Sequence, residues 1–138
     1  MDTLFRISKQ FRMKLEGLPT KERPLEIMTF PSGACELSSV LLANLLVKYG
    51  YKVLVVRGKR SVIDEAYSCE VYKEVGHTWL EVDGKIIDIT ADQFVDCEEA
   101  VIVSERTIFH DSFEIISKTF DMKDWLKENY RYLIATKR

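Results

Sequence analysis

Cysteine is scarce in this chain, and the scarcity narrows what the protein can be. There are three, Cys35, Cys69 and Cys97, in 138 residues. An odd count at wide spacing does not make a disulfide framework, so free thiols and a reducing, cytosolic setting are expected. No close cysteine pair of the C-x-x-C kind is present, which argues against a structural zinc site. A metal site built from Cys35, His77 and one of Cys69 or Cys97 is the alternative; no metal or other cofactor is expected. Charge of one sign is also lacking, with 20 Lys+Arg against 22 Asp+Glu and a net charge of −2. That balance provides no basic surface for nucleic acid or for an anionic membrane. No apolar run approaches the ~20 residues needed to span a bilayer. Residues 1–14 scatter charges through MDTLFRISKQFRMK and lack the apolar stretch of a secretory signal. Repeats, low-complexity tracts and linkers are missing too. With 46% apolar residues the chain can bury one core, so residues 1–138 are expected to form a single domain.

What is present divides into a few clear elements. Leu4, Ile7, Phe11 and Leu15 recur at helical spacing over 3–16, with Arg6, Lys9, Arg12 and Lys14 between them as a solvated face. Gly17 and Pro19 stop this helix. Residues 35–49 predict a second helix, apolar around most of its circumference and therefore buried, with Gly50 as its stop. Tyr51 to Arg57 reads as a strand, 58–68 as a loop, and Cys69 to Lys73 as a short strand. Asp83-Gly84 between two alternating apolar runs is a strong hairpin signal. Strands are expected at 100–103 and 113–119, and a last helix from Asp121, carrying Met122, Trp125 and Leu126. The order implies an α+β fold, a buried helix packed on an antiparallel meander with flanking helices.

The hairpin places chemistry. With Asp83 and Gly84 in the turn, Val82 faces Lys85, Glu81 faces Ile86, Leu80 faces Ile87 and Trp79 faces Asp88. His77, Trp79, Ile86 and Asp88 then share one face, and His77 and Asp88 are diagonal neighbours. Thr78, Leu80, Val82, Ile87 and Ile89 share the other. Cys35 opens the buried helix. The positive end of the helix dipole there favours a thiolate, and the unpaired amide groups can bind an oxyanion. Gly33, without a Cβ, lets a substrate carbonyl approach the backbone. Cys35 as nucleophile, His77 as base and Asp88 as orienter form a consistent set. Each has an ordinary alternative: a small buried hydrophobe, a structural histidine, a solvated turn carboxylate.

Gly33-Ala34-Cys35 at the start of a buried helix, Gly50-Tyr51-Lys52-Val53, Gly76-His77-Thr78-Trp79-Leu80-Glu81-Val82 and Ile86-Ile87-Asp88-Ile89-Thr90 resemble the transglutaminase-like branch of the papain-like cysteine enzymes. The stretch from Asp88 to Phe94 is similar to small bacterial proteins of that superfamily and to the peptidases that remove lasso-peptide leaders. The resemblance covers about residues 30–94. It implies a papain-like fold with nucleophile Cys35, general base and acid His77, and orienter Asp88. The glutamine that precedes the nucleophile in the papain branch is missing here, and Gln93 is the candidate replacement as oxyanion donor. The implied activity is a thioester-forming enzyme acting on a peptide, protein or small amide, with hydrolysis preferred over transfer to an amine. A non-catalytic interaction module of the same fold is the competing reading. Glu36 and Glu81 are expected to be exposed carboxylates that could shape substrate choice. Trp79 should pack beside the site or fill the core. His110, in a polar loop, is a rival base. Residues 58–74, with Arg57, Lys59, Arg60, Asp64, Glu65 and Tyr67 in or beside them, should form the site's variable edge.

Overall fold

A computed structural model describes residues 3–23, 30–31, 33–64 and 66–120. The expected helix from Asp121 lies outside the described residues. Helix α1 spans Thr3–Glu16 and buries Leu4, Ile7, Phe11 and Leu15, the apolar stripe read from the sequence. Helix α2 spans Cys35–Lys48 and buries Leu37, Val40, Leu41, Leu42 and Leu46. Gly50 follows it with φ +97, the left-handed conformation that glycine adopts without strain just past a helix end. Among the described residues no helix is long and apolar enough to cross a membrane.

Among the described residues, five antiparallel strands form one sheet: β1 (Leu54–Ile63), β2 (Tyr72–Val82), β3 (Lys85–Asp88), β4 (Ile102–Ser104) and β5 (Glu114–Thr119), in the order β4-β3-β2-β1-β5. The first four make a meander. The fifth does not extend it; it crosses to the far edge and pairs with β1. The β2–β3 hairpin has the expected register, Leu80 opposite Ile87, Glu81 opposite Ile86 and Val82 opposite Lys85. Asp83 and Gly84 both have positive φ, as the tight hairpin turn requires.

Residues 58–63, read as loop, are instead the outer half of β1, paired as far as Ile63 opposite Tyr72. The β1–β2 ribbon runs out beyond the core here and carries mostly half-exposed or exposed side chains. The hydrophobic alternation that marks a strand is therefore lost although the backbone pairing persists.

The sheet has two dressed faces. Leu80, Val82, Ile87, Ile89, Val53 and Val55 pack with α1 and α2 in the main core. Val56, Trp79, Ile86 and Ala91 pack on the opposite face with Ile102, Phe109 and Phe113. Phe109 belongs to a short helix, α3 (Ile108–Asp111), which the sequence reading missed because four residues are too few to show a period.

Gly58 is a steric requirement of the second face. A Cβ there would stand 3.0 Å from both Trp79 Cη2 and Phe113 Cβ, closer than carbon atoms pack. We therefore expect Gly58→Ala to destabilise the fold by about 1–3 kcal/mol through overpacking, measured by urea unfolding, with near-ultraviolet circular dichroism reporting the displaced Trp79.

Candidate active site

Strand β3 ends at Asp88 and its pairing with β2 ends at Leu80. The stretch of β2 around Thr78 and His77 thus has β1 on one side only among the described strands, and the first turn of α2 fills part of the other side. The Thr78 carbonyl accepts from Ser39 Oγ (3.0 Å). The Thr78 backbone also favours the anionic form of the Cys35 sulfur. Its hydroxyl donates to Glu36 Oε1 (2.9 Å). Helix α2 packs on the Leu80 face, yet its first residue meets a histidine of the opposite face around the open end of the hairpin.

Glu36 is not the exposed carboxylate the sequence suggests. It accepts from Arg57 Nε (3.0 Å) and Nη2 (2.6 Å), a two-point fork between α2 and β1. This pins the cysteine-bearing turn against β2. Among the described residues no side chain caps α2, so its first-turn amide groups keep their donor capacity.

His77, Trp79 and Asp88 converge as the register predicts. His77 is 2% and Asp88 1% exposed. His77 Nε2 lies 2.6 Å from Asp88 Oδ2. The other ring nitrogen, Nδ1, is buried without a hydrogen bond of good geometry. It is the nitrogen left for Cys35, whose thiol interacts with the imidazole. Trp79 stands beside His77 with ring centroids 5.6 Å apart, and Phe94, Phe109 and Phe113 complete an aromatic wall. Cys35 itself is partly exposed.

The hydrogen-bonded centre is larger than the three residues read from the sequence. His110 is not in a polar loop; it is 3% exposed on α3, with Nε2 2.7 Å from the same Asp88 Oδ2. The connected set is therefore His77–Asp88–His110, with Cys35 beside His77. Its donor atoms lie within 4.8 Å of one another. Two histidines and a carboxylate are also a metal-binding composition, but both imidazole–carboxylate contacts have hydrogen-bond length. Cys69 is exposed and Cys97 half-buried, and neither belongs to this set. The sequence signal for His110 is slight: Thr107, three residues earlier, caps the turn by accepting the His110 N–H.

Gln93 is not a free surface amide. Its Oε1 accepts from the Gly33 N–H (3.1 Å) and its Nε2 donates to the Thr90 carbonyl (3.0 Å), tying the loop after β3 to the approach to Cys35. Gly33 has φ +69 and nothing within 4 Å of where a Cβ would be, so its backbone conformation is what calls for glycine. Arg12 was expected in solvent, yet it is 5% exposed. It bonds both oxygens of Asp92 (2.6 and 2.8 Å) and the carbonyls of Ile89 and Ala100. Helix α1 thereby clamps the segment that carries Thr90 and Gln93.

Electrostatics follow from this layout. Burial opposes charge on His77, but Asp88 and the Cys35 thiol outweigh it and hold the imidazolium up to a pKa of about 9. Burial likewise opposes the Asp88 anion, and the two histidines overcome it and push its carboxyl well below the usual range. Burial also works against the Cys35 thiolate; His77 and the Thr78 backbone reverse the sign and lower its pKa. No protein-family model, curated protein or solved structure matches the chain.

These shifts set a stability window. Asp88, depressed on folding, stabilises fully above its unfolded value near ~4, and that contribution is lost as pH falls through its folded pKa. His77, raised on folding, stabilises fully below its unfolded value near ~6.5 and loses that contribution as pH rises through about 9. Urea unfolding across pH should show greatest stability between about 4 and 6.5, with Asp88→Asn flattening both flanks.

Proposed function

We propose that the protein is a thiol enzyme of the transglutaminase-like, papain-related kind, with Cys35 as nucleophile, His77 as general base and acid, and Asp88 as orienter. The observation that carries this is a partly exposed cysteine at the first turn of a buried helix, coupled to a histidine whose far nitrogen is bonded to a buried carboxylate. The α+β layout, with that helix against an antiparallel sheet, is compatible with the papain-like architecture.

The chemistry proceeds from these positions. The Cys35 thiolate attacks the carbonyl carbon of an acyl or carboxamide substrate, and the electron pair of the C=O bond moves to oxygen. The first-turn amide groups of α2 are the candidate donors to that developing charge. Gln93 Nε2 has one proton beyond the one given to Thr90, and it is the candidate side-chain donor. His77 gives the proton on Nδ1 to the leaving amine as the C–N bond breaks, leaving a thioester on Cys35. His77 then takes a proton onto Nδ1 from water, whose oxygen attacks the thioester; the acid leaves and the thiolate is restored beside the imidazolium. An amine in place of water would give transfer instead; hydrolysis is the preferred outcome. A cleft of ≈ 460 Å³ lies beside Gln93, walled by Val62, Val75, Phe94 and Val95.

p-Nitrophenyl acetate tests this without knowledge of the natural substrate. Wild-type protein should release a burst of nitrophenolate equal to one site per chain, acetylate Cys35 by mass spectrometry, and then turn over slowly. Cys35→Ala should abolish the burst, and His77→Ala should slow it by about 10²–10⁴-fold. Acetylation spread evenly over Cys35, Cys69 and Cys97 would refute the assignment.

A further inference from the structure

The chain has two histidines, and both donate to one oxygen of one carboxylate. Asp88 Oδ1 takes the Thr90 N–H at 2.9 Å, so the buried anion has three donors. A carboxylate out of contact with water needs such saturation to stay ionised. Only one of the two histidines faces the thiol. His110 instead faces Thr107, whose hydroxyl oxygen accepts the His110 N–H (2.9 Å) and lies 2.5 Å from Nδ1. The hydroxyl has one proton to give, and Nδ1 is its partner. That leaves the His110 ring proton on Nε2, pointing at Asp88. The ring is held between Trp79 (4.8 Å between centroids) and Phe109 (5.0 Å). His110 is thus fixed at both nitrogens and both sides.

We propose that His110 is a positioning residue of the thiol site, acting through Asp88 to set the direction and strength of the hydrogen bond that orients His77. The inference rests on the reading of Cys35 as nucleophile for its functional meaning, but the coupling itself does not. An oxygen shared by two donors gives less of its charge to each. Without His110, Oδ2 would serve His77 alone and bind the imidazolium more tightly. His77 would then be a weaker acid toward a leaving amine. The carboxylate would also lose one of the contacts that fix its plane. The titratable groups around His77 are Cys35 from α2, Asp88 from β3 and His110 from α3. The Arg60 guanidinium lies beyond, over Phe94, Phe109 and Phe113 and paired with Asp96, and the Cys97 thiol packs against the same cluster.

Histidine-labelled nuclear magnetic resonance reads this directly, because wild type gives two imidazole signals. Both rings should show a proton on Nε2, and below its midpoint His77 should show a second on Nδ1. In His110→Leu, which removes the donor and keeps the site apolar, the His77 midpoint should rise by about one pH unit. His110→Gln, which restores an N–H of similar reach, should bring it back. Should His110→Leu not fold, Thr107→Val removes the partner of Nδ1; a mixed His110 tautomer and an upward shift of His77 are then expected. An unmoved His77 midpoint in a folded variant overturns the proposal. So does stoichiometric zinc binding that His110→Leu abolishes, since the three groups would then be ligands. Failure of the thiol reading is seen separately, as loss of the nitrophenolate burst in wild type with the histidine coupling intact.

Discussion

A carboxylate sealed from water is the constraint around which the rest of the structure is arranged. Asp88 closes the short third strand with no exposed oxygen. An unmatched charge in that place would cost several kcal/mol. It is matched by donors from three places: His77 on β2, His110 on α3 and the Thr90 amide in the turn that follows. Each must arrive for the others to be tolerated, so the meander, the short helix and the second hydrophobic cluster are coupled through a single side chain. The same requirement fixes the His77 ring, with Nε2 committed and Nδ1 facing the thiol.

Two further ion pairs hold the flanks. Arg12 reaches from α1 to Asp92 and to two backbone carbonyls, locking the segment that carries Thr90 and Gln93. Glu36 and Arg57 bind α2 to β1 and engage Thr78, the residue next to His77. The cysteine turn and the histidine strand are therefore fixed by side chains adjacent in sequence to the reacting groups. In the proposed reaction, a nucleophile and base placed this way would need little rearrangement.

Local pattern carried much of this. The stripe of α1, the apolar girth of α2 and the Asp83-Gly84 turn each encode one element, and the period of two places His77 and Asp88 on one face. What escaped the reading depends on contacts distant in sequence. Arg12 looks like a solvated helix residue until Asp92, eighty positions on, is folded against it. Residues 58–63 look like a loop because the ribbon they pair in is wet on both sides. His110 looks like a polar loop residue because its helix is one turn long and its meaning lies in Asp88, twenty-two positions back. The crossing of β5 to the far edge of the sheet leaves no local mark at all.

The central claim is that His77 is coupled to Cys35 and favours its thiolate. Titrating the ultraviolet absorbance of thiolate measures it directly, with Cys35→Ser as the blank. The account predicts one thiolate per chain already present below the ordinary thiol value of about 8.5, absent in Cys35→Ser and displaced upward in His77→Ala. A Cys35 signal that appears only at or above that ordinary value, unchanged by removal of His77, would contradict it.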